Sequence, residues 1–263
     1  MLYLDAHAHV YPDFPVERCL GGLLCHAEIF APGVPVAMVL LARQGLPDVW
    51  EHWRSAGRSG EWTFTPAPGR LPALDAHGGA RRLRVYPGRQ MVSAERLEFA
   101  AIGVNTPLPD GLPLDRGMAE IRALDGFPVL CWGAGKWLGR RGQVVADWVD
   151  RVEPGTAGLC DTAMRPRGWP APAAFATARR RGLPVLAGSD PMPWVGDAAA
   201  AGRYALCVEH QGECPPDTEA LIRCLQDPAT TLQPVGRRLK PCAWLLRQAQ
   251  ALRRKRKSVA PNL

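Results

Sequence analysis

Three positions set the rhythm of the chain: Trp132, Asp161 and Asp190 follow one another at 29-residue intervals. Each closes a short apolar run, and each run is preceded by a helical pattern. Residues 115–125 read as a helix ended by Gly126 before the strand 127–132. Residues 143–152 read as a second helix before the strand 157–160. Residues 171–181 form an Ala/Arg-rich helix, opened by prolines and stopped by Gly182, before the strand 183–187. Three successive helix–strand units imply parallel strands joined by right-handed crossovers. The side chains do not repeat with that interval, so it reflects barrel units rather than duplicated sequence.

The first half is less regular. Residues 36–41 make a strand preceded by a helix within 17–30, and 62–65 a further strand. Residues 82–86 and 97–104 also look extended, with Pro87-Gly88 and Asn105 expected to break them. The proline-rich stretch 65–74 reads as loop, and the chain finishes with helices near 217–226 and 241–254. At 263 residues the whole fits one α/β barrel, and no linker divides it. The fold expected is a distorted TIM-type (β/α) barrel over 1–252, followed by a basic C-terminal helical tail, 253–263.

The chemistry falls where such a barrel would place it, at the C-terminal strand ends. The apolar run Leu2-Tyr3-Leu4 leads into Asp5-Ala6-His7-Ala8-His9. Alternate side chains of a strand share a face, so His7 and His9 emerge together as half of a metal site. The late strand ends in Gly188-Ser189-Asp190, whose carboxylate would complete the ligand set or take a proton from metal-bound water. Each has a blander reading: two histidines packing a strand end, and an aspartate forming a turn before Pro191. Asp161 is a further ligand, a proton acceptor or a turn residue. Lys136, Arg165 and Arg89 are rim cations suited to a substrate phosphate or carboxylate, and Trp132, with Trp137 and Trp194, could wall the pocket. Gly133-Ala134-Gly135-Lys136 is too short to be a Walker A loop. Glu95 reads as a surface charge, and His26, His52, His77 and His210 are not expected to be ligands.

Five of the seven formal net positive charges sit in Arg253, Arg254, Lys255, Arg256 and Lys257, leaving a nearly neutral body. The tail could contact nucleic acid or an anionic surface, or serve as a solvated terminus. It carries no aromatics for base stacking. The eight cysteines are scattered without a Cys-x-x-Cys pair, which argues for reduced thiols rather than a cysteine zinc site. No apolar run approaches the roughly 20 residues of a membrane span. With no secretory signal pattern, a cytoplasmic location is expected.

His7-x-His9 at the end of a first strand, together with Gly188-Ser189-Asp190, resembles the metal-dependent hydrolases of the amidohydrolase superfamily. It also resembles the polymerase-and-histidinol-phosphatase (PHP) type of phosphoesterase. Both begin with a His-x-His on the first strand and finish with an aspartate on a late one. The stretch Pro87-Gly88-Arg89-Gln90 to Glu95-Arg96-Leu97-Glu98-Phe99-Ala100 resembles the mid-barrel PHP strand that supplies a glutamate ligand, with Gln90 at the matching position. The chain departs from the pattern in three ways. No histidine lies between Gly78 and Glu209; Met192 stands where the PHP motif places a histidine; and Lys136 is the one candidate for a bridging carboxylated lysine. The resemblance therefore implies a mononuclear site of His7, His9 and Asp190, holding zinc first, or manganese or iron. A metal-activated water would attack a small anionic substrate, with Asp190 or Asp161 accepting the proton. The alternatives are a PHP-like phosphoesterase and a non-catalytic binding protein on a barrel that has lost its metal and uses its basic tail. Substrate and oligomeric state are open.

Overall fold

The computed structural model describes residues 1–69, 73–209 and 215–259, with side chains followed to residue 250 apart from Val195. In chain order the elements are β1 (Leu2–Ala8), α1 (Val16–Phe30), β2 (Val36–Arg43), α2 (Val49–Ala56), β3 (Arg58–Ser59), β4 (Trp62–Pro66), β5 (Leu74–Gly78), β6 (Arg81–Val92) and β7 (Glu98–Ile102). Then come α3 (Leu114–Ala123), β8 (Phe127–Cys131), α4 (Gly139–Arg151), β9 (Gly158–Thr162), α5 (Ala173–Arg180), β10 (Val185–Gly188), a 3-10 turn (Val195–Ala200), β11 (Tyr204–Glu209), α6 (Thr218–Gln226), β12 (Thr231–Gly236) and α7 (Pro241–Val259). Among the described residues no helix is long and apolar enough to cross a membrane.

Nine strands follow one path, β10-β9-β8-β7-β6-β2-β1-β11-β12. The path nearly closes, because β10 returns beside β1: the Asp190 N–H donates to the His7 carbonyl at 2.8 Å. The result is a single mixed α/β domain around a barrel-like sheet. The helix–strand rhythm of the second half holds, with β8, β9 and β10 parallel, as are β1, β2 and β6. The all-parallel order of a TIM-type barrel does not run through the whole path. β7 is antiparallel to both β6 and β8, and β11 is antiparallel to β1 and β12.

The expected break at Pro87-Gly88 is absent, and β6 runs on through both residues to Val92. Proline cannot donate to a ladder, but the Pro87 carbonyl still accepts from the Gly103 N–H at 2.9 Å. Gly88 lets the strands approach, since a Cβ there would lie 2.6 Å from Leu41 Cδ2. The Pro-rich stretch ends in β5, which forms a hairpin layer with β3, β4 and the first part of β6.

The core is divided by the sheet. An inner cluster holds Leu2, Leu4 and Ala6 from β1, Val39 and Leu41 from β2, Tyr86 from β6, Ala100 and Ile102 from β7, Val129 and Cys131 from β8, and Leu186 from β10. Outside it, α3, α4 and α5 bury Met118, Ile121, Trp148 and Phe175 against one side of the sheet. Helix α1 buries Val16, Leu20, Leu23 and Ala27, spaced three or four apart, over Tyr3, Met38 and Leu40 on another part of the same outer face. Helix α6 adds Leu221, Ile222 and Leu225 to the inner cluster, so the sheet is covered on both faces. Of the basic tail, 253–259 continues α7 as backbone; its side chains and residues 260–263 lie outside the described residues, as do His210 and Cys214.

Candidate metal centre

Along β1 the inward-facing residues are Leu2, Leu4 and Ala6, yet Ala8 packs in the outer cluster with Tyr3. Two residues apart on a regular strand share a face, so the parity inverts between Ala6 and Ala8. A register irregularity between Asp5 and Ala8 in the pairing with β2 is where it does so. The bulge turns His7 and His9 inward while leaving Asp5 behind them.

There His7, His9 and Asp190 each offer a ligand atom, all within 4.8 Å of one another. The Nε2 atoms of His7 and His9 lie 3.6 and 3.8 Å from the same Asp190 oxygen, Oδ1. His7 is 1% and His9 3% exposed, and His7 Nδ1, His7 Nε2 and His9 Nε2 have no hydrogen-bond partner among the described residues. The protonation of His9 is set by the backbone. Its Nδ1 lies 2.8 Å from the Leu41 carbonyl, an acceptor only, so Nδ1 carries the proton and Nε2 presents its lone pair to the cluster. Burial pulls both imidazoles down to about 4, against the opposing pull of Glu98 on His7 and Asp190 on His9. Burial pushes Asp190 up to about 6, with Glu98 adding to the rise and the neighbouring His9 ring and Arg43 acting against it. Both histidines are therefore neutral and ready to coordinate at neutral pH.

Two residues bring β10 to this point. Gly188 lies so near His7 that an added Cβ would fall 2.2 Å from His7 Cβ. Asp190 itself has φ +46°, the left-handed region an aspartate tolerates better than most residues. Beneath them the buried Asp5 carboxylate accepts from the Ser189 N–H (2.9 Å), the Gly202 N–H (2.7 Å), the His7 N–H (3.2 Å) and the Ser189 hydroxyl. Asp5 thereby ties β1, the end of β10 and the turn before β11 together. Burial raises it to about 6 in spite of those four donors.

Other groups reach the cluster from strands the sequence pattern did not connect to it. Glu98 shares parity with the inward Ala100 and Ile102 of β7, and Arg43 with Val39 and Leu41 of β2. Because β7 runs antiparallel, its first residue lies at the end where its neighbours finish. The Glu98 charge is felt at His7, Asp190, Arg43 and Tyr11. Burial opposes the Glu98 charge, but Lys136, Arg43 and His7 outweigh it and hold the carboxyl below its ordinary range. Burial likewise disfavours the Arg43 charge, and Tyr11, Glu98 and Asp190 outweigh that in turn. Gln90, the position matched to a ligand glutamate, faces inward between Arg43 and Ala100 with its Oε1 buried and unpartnered.

The other residues singled out from the sequence lie elsewhere or are engaged. Lys136 Nζ pairs with Glu98 at 2.5 Å, in space left by Gly133, where a Cβ would meet the lysine chain at 2.8 Å. Both Asp161 oxygens are bound by Arg165, at 2.8 and 2.6 Å, and the Tyr204 hydroxyl adds a third bond at 3.0 Å. Arg165 gives its remaining arm to the Trp169 carbonyl. Arg89 pairs with Asp48 at 2.6 Å and with Asn105, on the outward parity of β6. Trp132 is 4% exposed in the outer core. It edges a cavity of about 430 Å³ with Trp137 and Trp169, whose lining includes none of His7, His9 and Asp190. Glu95 accepts from the Leu114 N–H at the start of α3.

No family model matches the chain, and no curated protein does. Among solved structures, PsfC from Pseudomonas syringae PB-5123 aligns with a TM-score of 0.57 at 14% identity, covering 96% of this chain and 97% of that one. The lesion-specific endonuclease PfuEndoQ from Pyrococcus furiosus aligns with a TM-score of 0.52 at 11% identity, covering 89% of this chain and 58% of that one. At such identities the likeness is one of fold: this chain shares a barrel-like architecture with both.

Proposed function

We propose that the protein is a divalent-metal-dependent hydrolase acting on an anionic substrate, with phosphoesters as the first class to test. The observation that carries this reading is the convergence of three buried ligand atoms, two of them imidazole nitrogens with no hydrogen-bond partner. A polar atom buried without a partner costs about 1–3 kcal/mol, and a cation at the cluster would satisfy one nitrogen of each ring at once. Two imidazoles and a carboxylate suit zinc, manganese or iron. His7, His9 and Asp190 would hold one ion. A divalent cation in such a site supplies Lewis acidity, acidifying water and polarising a substrate oxygen.

The chain's own groups divide the remaining work. Arg43, facing the cluster from β2, would receive the negative charge of the substrate. Glu98 would accept a proton, with Lys136 balancing its charge. Asp161 is spent on Arg165 and is a poorer candidate for base than the sequence suggested. The inward guanidinium and the fold shared with a protein named as an endonuclease favour phosphoesters over amides or lactones. Elemental analysis of freshly purified protein against a folded His7→Ala/His9→Ala variant tests the site. A panel of phosphate mono- and diesters, amides and lactones tests the substrate. Near-stoichiometric metal lost in the variant, with phosphoester turnover, is expected. No metal in the wild type after reconstitution with zinc, manganese or iron would overturn the reading and leave a non-catalytic barrel.

A further inference from the structure

We propose a second anion site, independent of the metal cluster, that takes a phosphorylated ligand of nucleotide size. It is a cavity of about 470 Å³ whose walls carry Arg167, Arg203, Arg237, Arg238, Lys240 and Arg247, and none of His7, His9 or Asp190. That volume is within the range of small-molecule sites, about 300–1,000 Å³.

The cations come from separate parts of the chain and are held together by backbone bonds. The Arg237 N–H donates to the Arg203 carbonyl, the Leu239 N–H to the Ala163 carbonyl at 3.0 Å, and the Arg167 N–H to the Leu239 carbonyl at 2.9 Å. Asp197 neutralises Arg247, the one ion pair the group makes among the described residues. Among the described residues the other five make no ion pair, although the Asp197 charge also reaches Arg203. Arg167 spends its Nε on the Arg238 carbonyl, and Arg237 lies over the Phe30 ring at 6.0 Å. Among the described residues Arg238 Nη1, which is buried, has no hydrogen-bond partner. Burial disfavours the charge of Arg203, and the neighbouring Arg247 and Arg167 add to that, with Asp197 alone opposing.

A set of converging guanidinium donors on a fixed backbone, short of acceptors, is the arrangement that binds phosphate oxygens bidentately. Part of the lining is an apolar wall: Phe30, Leu239, Ala243 and Ile29, which is 62% exposed. Inorganic phosphate would leave that wall uncovered. A ligand with a flat or apolar part joined to phosphates uses both.

The test is calorimetric titration of the full-length protein with ADP, adenosine, pyrophosphate and a short single-stranded oligonucleotide. ADP should bind more tightly than adenosine or pyrophosphate. Arg238→Ala should weaken it about tenfold or more, as expected for loss of one charge-assisted hydrogen bond. Arg237 is exposed, so Arg237→Ala retains the fold and carries the test if the Arg238 variant does not fold. The His7→Ala/His9→Ala variant should bind ADP as the wild type does, which separates this site from the metal cluster. Three results would each overturn the proposal: no ADP binding by the wild type, ADP affinity unchanged by the arginine variants, or tight binding of the oligonucleotide alone.

Discussion

Gly188 and His7 touch so closely that no side chain fits between them: a Cβ on Gly188 would lie 2.2 Å from His7 Cβ and 2.6 Å from its backbone nitrogen. The last strand of the parallel run can deliver Asp190 to the histidines because this position is bare. Gly188→Ala is expected to cost about 1–3 kcal/mol, the usual range for overpacking, and to push the carboxylate away from the rings. Denaturant unfolding reads the first effect and metal content the second. A variant with wild-type stability and metal would show that the contact is not needed.

Metal binding should depend on pH through one group over most of the accessible range. His7 and His9 stay neutral down to about 4, so protons compete for them only in strong acid. Asp190, raised to about 6, is protonated below that value and must give up its proton to bind a cation. Apparent affinity should be flat above about pH 6.5 and fall about tenfold per pH unit between 6 and 4.5. A slope of two or more just below pH 6.5 would mean that the imidazoles titrate normally.

The metal-free protein carries the same shifts as stability. The imidazoles, depressed from 6.5, lose stability as pH falls between 6.5 and 4, because the unfolded chain takes up protons first. Asp5, raised to about 6 from 3.8, runs the opposite way: its contribution is present in acid and lost as pH rises through 6. Replacing both histidines by alanine should therefore make the variant gain on the wild type as pH drops from 7 to 5, measured as a narrowing or inverting Tm difference without metal. A pH-independent difference would contradict it.

Asp161 and Arg165 are both 6% exposed and bonded to each other twice. Removing one partner strands a buried charge, which costs about 3–5 kcal/mol. Asp161→Asn should thus lower stability strongly while the folded fraction keeps wild-type metal content. Loss of metal without loss of stability would instead make Asp161 a ligand.

Arg43→Ala should leave metal content unchanged and lower kcat/KM for phosphate esters by about 10- to 100-fold, a loss of about 1.4–2.7 kcal/mol, with Arg43→Lys recovering part of it. Equal losses for neutral and anionic substrates would argue that Arg43 supports the site rather than the substrate.

The residues legible in the sequence were those announced by strand ends. His7-x-His9 and Gly188-Ser189-Asp190 follow apolar runs, and in a parallel sheet the end of each run marks the same rim. Glu98 escaped that logic because β7 is antiparallel: the residue at the rim opens the strand instead of closing it, and the match drifted to Gln90. Arg43 closes β2, but an arginine after seven apolar or small residues reads as solvent-facing until the inward parity of Val39 and Leu41 is known. Asp5 gave a local signal, a carboxylate inside an apolar strand. Its partners, Ser189 and Gly202, were beyond the reach of any local pattern.

The tie between Asp5 and Ser189 spans 184 residues of chain. Closing so long a loop happens late, after local helices and neighbouring strands have formed. The ligand set is divided in the same way, two histidines from the first strand and the aspartate from the tenth. An ion would find its full coordination only once β1 and the end of β10 have met. Metal would then act as a latch on the finished protein rather than as a seed for its folding, slowing unfolding without hastening assembly.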